Sequence, residues 1–169
     1  AATPILGLIT DDALTTTPID IGFEFMYEGV TYTQFKMSSN GFITFKVAST
    51  GSIHLNNFAT VTNDSKPIIA PLWDDLGGAT NANSATSIEV TGTSPNQVAT
   101  IEWKNFKWNR TSDAAISFQI KLYQTTNVIE FVYKQEAGAL VSPSATIGIG
   151  SAVGTGAGSF LNLINLTDF

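Results

Sequence analysis

Five apolar side chains, Ile19, Ile21, Phe23, Phe25 and Tyr27, recur at every second position, with Asp20, Gly22, Glu24, Met26 and Glu28 between and after them. A period of two belongs to a strand that buries one face and exposes the other. The pattern returns at Ile116, Phe118, Ile120 and Leu122, alternating with Ser117, Gln119, Lys121 and Tyr123. There the short polar turn Gln124 to Asn127 leads into Val128 to Tyr133, which predicts a hairpin. Further strands are expected at Val30 to Met37, Gly41 to Phe45, Ile68 to Trp73, Ser87 to Thr91, Gln97 to Lys104 and Thr146 to Gly150, with a final edge strand in Phe160 to Phe169. No window sustains the three-and-four spacing of a helix, and Gly, Asn, Ser and Pro punctuate the apolar runs. The expectation is an all-β fold: an antiparallel, jelly-roll-like β-sandwich of roughly ten or more strands with little or no helix.

Asn40-Gly41 is the strongest local turn signal, because both residue types accept positive φ. It should join the strand ending near Ser39 to the one holding Phe42 and Phe45. Gly77 to Ala85 and Gly150 to Gly158 read as small-residue loops. With 169 residues and no internal repeat, the chain is expected to form one sandwich domain over 1–169.

Composition excludes several functions. A net charge of −6 disfavours nucleic acid and anionic membrane surfaces, since phosphate binding draws on clustered Lys and Arg. The only basic grouping, Lys104, Lys107 and Arg110, is flanked by Glu102 and Asp113. No run approaches the roughly 20 apolar residues that span a bilayer, so membrane insertion is not expected. There is no cysteine, which removes disulfides, thiolate metal sites and thiol nucleophiles, and points to a bacterial or phage source. The Ala1-Ala2-Thr3-Pro4 start suits a chain relieved of a signal peptide, although a cut between domains would look the same.

Ser38-Ser39-Asn40-Gly41-Phe42-Ile43-Thr44-Phe45, following Gly29-Val30-Thr31-Tyr32 and followed by Ile69-Ala70-Pro71-Leu72-Trp73-Asp74-Asp75-Leu76, resembles nidogen-like domains and the related secreted cell-surface domains of Bacteroidetes. Ile101-Glu102-Trp103 and Ile129-Glu130-Phe131 fit the same layout. The resemblance implies an extracellular β-module of an adhesion, matrix or surface protein, with no catalytic residues to carry over. Animal relatives are richer in cysteine, so the bacterial branch is the better match.

Two places could carry chemistry. Asp74 and Asp75 end an apolar strand before Gly77-Gly78 and could bind calcium, with Asp64, Asn81, Asn83 or carbonyls adding oxygens; the plainer reading is that one Asp caps the turn by accepting backbone amides while the other is solvated. Trp108 with Lys107, Asn109 and Arg110 could form a sugar platform, an aromatic face beside hydrogen-bonding groups, if the strand bulges or ends near Asn105 and leaves Trp108 in a loop. Trp103 shares parity with Ala99 and Ile101 and belongs in the core. His54, the sole histidine, stands in a polar loop without a convincing nucleophile, and one histidine cannot build a histidine-rich zinc site. Glu102 and Glu130 are the pair a glycoside hydrolase would use, but they read as solvent-facing strand carboxylates. Three sequons, at Asn63, Asn109 and Asn165, matter only in a eukaryotic secretory pathway, and Thr-x-Thr occurrences lack the regular spacing of an ice-binding face. The expected function is therefore a non-catalytic adhesion or ligand-binding module, possible partners being a glycan or a protein on a surface. The alternative is a self-associating structural module of a surface, filament or virion, and a glycoside hydrolase is the third reading.

Overall fold

A computed structural model describes residues 1–5, 7–51, 56–80, 82–108, 113–140, 144–152 and 159–166. Twelve strands build two antiparallel sheets. The first sheet runs β1 (Thr3–Pro4), β7 (Ala85–Thr91), β8 (Val98–Trp108), β9 (Ile116–Tyr123), β10 (Ile129–Gln135), with β6 (Leu76–Gly78) also paired to β8. The second runs β12 (Phe160–Leu166), β11 (Ala145–Gly150), β5 (Ile68–Trp73), β4 (Phe42–Thr44), β3 (Val30–Ser38), β2 (Ile19–Tyr27).

The alternation in β2 does what its period requires: Ile21, Phe23, Phe25 and Tyr27 are buried while Asp20, Gly22, Glu24 and Met26 are exposed. β9 behaves alike, its Ile116, Phe118, Ile120 and Leu122 entering the core shared with Phe35, Met37 and Trp103. β5 is buried along its whole length, so it reads as a continuous apolar run rather than an alternating one. A second cluster, Phe42, Phe58, Val61, Ile68, Ala70 and Trp73, lies on the other side of that strand. Full burial of each such aromatic stabilises the fold by about 1.5–3 kcal/mol.

The turn between β3 and β4 is as the dipeptide predicts. Gly41 has φ +76, and a Cβ there would stand 1.9 Å from the Leu72 carbonyl oxygen, so only glycine fits. Asn40 is fully buried and ties the turn to two other parts of the chain. Its Nδ2 donates to Asp12 Oδ1 at 2.8 Å, its Oδ1 accepts from Leu76 N at 3.2 Å, and its carbonyl accepts from Asp74 N at 3.3 Å.

Two expectations about the elements change, and a third holds. The Gly77 to Ala85 stretch is not all loop: Gly77 and Gly78 pair with Lys107 and Phe106 as part of β6, and Ala85 opens β7. At Gly78 a Cβ would meet the Ile9 carbonyl at 2.9 Å, so the small residues serve close packing rather than flexibility. β8 runs four residues past Lys104, to Trp108. The expected edge strand at the end of the chain is present as β12, with 167–169 outside the described residues.

Candidate functional site

β8 is where the two tryptophans are placed, and its register explains both. Ala99, Ile101 and Trp103 face inward at odd positions. The pairing with β9 then slips between Trp103 and Phe106, at Asn105, which adopts φ +56. This bulge inserts one residue and inverts the parity, so that Phe106 and Trp108 face inward at even positions. Asn105 is held there by its amide donating to Ser117 Oγ at 2.9 Å and its side chain donating to the Asn83 carbonyl at 3.1 Å.

The loop placement expected for Trp108 is thereby corrected. Its ring is only 7% exposed, and the indole Nε1 donates to Asp74 Oδ2 at 2.6 Å and to the Ser144 carbonyl at 3.1 Å. No open aromatic face is left for a sugar. Lys107 alternates outward beside Gly77; Asn109 and Arg110 lie outside the described residues, as do His54 and Asn81.

Asp74 is buried, and both of its oxygens serve the protein itself. Oδ1 accepts from the Asp75 amide at 2.8 Å, while Oδ2 accepts from Trp108 and from Ser144 Oγ at 3.0 Å. The carboxylate is thus the acceptor that satisfies a buried indole, a hydroxyl and the amide of its own turn, the capping role weighed against calcium. Asp75 is half-buried beside it. Among the described residues no three His, Cys, Asp or Glu side chains gather as metal ligands would.

Glu102 and Glu130 both lie on the outer face of the first sheet, opposite Gln119 and Lys121 respectively. Glu102 accepts from Gln119 Nε2 at 2.8 Å, and Glu130 accepts from the Tyr123 hydroxyl, a bond that pushes the Tyr123 phenol up from its ordinary range. On the same face Lys134 and, less strongly, Ser117 donate to Glu136 and hold its carboxyl low.

An apolar opening lies elsewhere, at the seam where the two sheets end. A cleft of about 450 Å³ is lined by Ile129, Phe131 and Tyr133 of β10, Ile147, Gly148 and Ile149 of β11, and Leu161 and Leu163 of β12. None of these side chains is charged. Leu161 and Leu163 are 55% and 62% exposed, the most exposed large apolar residues described. Tyr133 presents its ring to the cleft but sends its hydroxyl inward to the Pro71 carbonyl at 2.5 Å, and this burial pushes the phenol far above its usual range.

The sequence reading missed this cleft because it arises from strands distant in the chain. The one local signal was the absence of charge throughout Phe160–Leu166.

No helix among the described residues is long and apolar enough to cross a membrane. No curated protein and no solved structure matches the chain. A family model described as NIDO related does match, over residues 1–168, nearly the whole length. The two sheets and the match agree with the resemblance carried by the Asn40-Gly41 turn and the Leu72-Trp73-Asp74-Asp75 strand end, and the chain belongs to the NIDO-related family.

Proposed function

We propose that this domain is a non-catalytic, extracellular module of a bacterial surface or secreted protein, and that it works by protein contact through the seam between β10 and β12. The observation that carries this reading is the uncharged, open cleft with Leu161 and Leu163 at its rim. Large exposed apolar residues gathered in one patch mark contact surfaces, whereas singly scattered ones do not. Family membership supports the extracellular setting. So does a chain in which only 13% of residues are charged and polarity rests mainly on Thr, Ser, Asn and Gly. Carbohydrate recognition through Trp108 loses its footing, because the indole that would stack on a sugar is packed against Asp74.

The test is a photo-reactive amino acid placed at Leu163 in the full-length protein on its own cells. A discrete protein adduct at Leu163, absent when the group replaces Thr100 on the outer face of the first sheet, is expected. Adducts at neither position, or equally at both, would remove the seam as a contact surface.

A further inference from the structure

We infer that the partner of the seam is a second copy of this chain, joined by a two-fold axis running along the strands. This rests on the reading of the seam as a contact surface and names its occupant.

The first argument is shape. Tyr133 of β10 reaches Pro71 of β5, and the inward side chains of β10 line the cleft together with β11. β10 therefore lies above the β5–β11 pair. β12 is the next strand outward in the second sheet, and its Leu161 and Leu163 are left largely exposed. The second sheet thus overhangs the first by one strand. Half a turn about an axis parallel to the strands carries each overhanging β12 into the step left by the other copy. There it sits beside β10 in the same layer and above the first copy's β12. Each copy offers one overhanging strand and one step, so the interface closes on itself and adds no further open edge.

The second argument is the hydrogen-bonding edge. Val128 accepts from Tyr123 N, and Glu136 N donates to the Ala115 carbonyl. Along an antiparallel ladder such bonds alternate, so the even positions of β10 face β9. The amides and carbonyls of Ile129, Phe131 and Tyr133 are left facing outward, where a neighbouring strand would take them up.

The third argument is charge. Edge strands that must stay single usually carry charge, proline or a bulge. β1 is two residues long and contains Pro4, and β2 carries Asp20 and Glu24 on its exposed face. β12 carries neither charge nor proline, and the one such device it has is the single-residue bulge at Leu163, where its pairing with β11 shifts. Because the cleft is uncharged, two molecules of net charge −6 can meet there without setting carboxylate against carboxylate.

The arrangement sets Leu163 against its own counterpart, and Leu161 likewise. Sedimentation equilibrium of the purified domain should give the mass of two chains. Leu163→Asp should weaken the association by about 100-fold or more, since it buries an unpaired charge, while Thr100→Asp should leave it unchanged. Both positions are at the surface of the single chain, so circular dichroism should show both variants folded. As the chain has no cysteine, Leu163→Cys should form a disulfide-linked dimer on mild oxidation, and Thr100→Cys should not. A monomer at every concentration together with no Leu163→Cys cross-link overturns the proposal. If the photo-reactive group at Leu163 still captures a different protein, the seam remains a contact surface and only the second copy is wrong.

Discussion

Trp108 Nε1 lies 2.6 Å from Asp74 Oδ2, joining the end of β8 to the end of β5 across 34 positions of sequence. The bond has one donor with two acceptors and one acceptor atom with two donors, because Ser144 shares both groups. Asn at position 74 would keep one acceptor oxygen and turn an amide NH₂ toward a donor. Asp74→Asn should therefore cost about 1–3 kcal/mol of stability. Trp108→Phe should cost a similar amount, and the double variant clearly less than the sum. Urea unfolding of the four proteins measures this; strict additivity would mean that the two residues do not act as a unit.

The same occupancy bears on calcium. An ion at Asp74 would have to compete for a buried carboxylate whose oxygens already serve the Asp75 amide, Trp108 and Ser144. Melting temperatures in calcium and in chelator should coincide, since a ligand that binds the folded state raises them. A rise in calcium that chelator reverses and Asp75→Asn abolishes would put an ion at this strand end after all.

Gly41 has no tolerated substitute. Ala would combine a positive φ with a Cβ 1.9 Å from the Leu72 carbonyl, against backbone that cannot rotate away. Gly41→Ala should lose at least about 3 kcal/mol, seen as a lower urea midpoint or as insoluble expression. Gly29→Ala, with φ +76 but open space around it, should lose less, and this difference isolates the clash from the backbone strain.

All four tyrosines are held above the ordinary phenol range: Tyr27, Tyr32 and Tyr133 chiefly by burial, and Tyr123 chiefly by its bond to Glu130. A folded-state value above the unfolded one means that the unfolded chain loses protons first. The stability these groups contribute is fully present below pH about 10 and declines as pH rises beyond it. Absorbance at 295 nm should thus show little phenolate until the circular dichroism signal of the sheets collapses. A phenolate step well before unfolding would show that the phenols are open to solvent.

How much of this was legible depends on the length over which a residue pattern repeats. Nine residues of alternation were enough to place β2 at Ile19–Tyr27, and six continuous apolar residues placed β5 at Ile68–Trp73. Thr3–Pro4 and Leu76–Gly78 are too short to display any period, so β1 and β6 were not foreseen. Trp103 was placed correctly because its parity ran unbroken from Ala99. Trp108 escapes the same reading because the strand continues after the bulge at Asn105 instead of ending there. That outcome depends on Ser117 and Asn83 holding Asn105, contacts that no local reading of β8 contains. The cleft was invisible for the same reason, since it exists only once β10, β11 and β12 are assembled.

The buried turn at Asn40 has a consequence for how such a domain can be inherited. Its side chain is bonded at once to Asp12 near the start of the chain and to Leu76 near the middle, and its carbonyl to Asp74. A gene cut anywhere between these positions leaves a hairpin whose central amide has lost the groups it was folded around. Recombination can therefore transplant this sandwich from one protein to another intact, but it cannot trade halves of it.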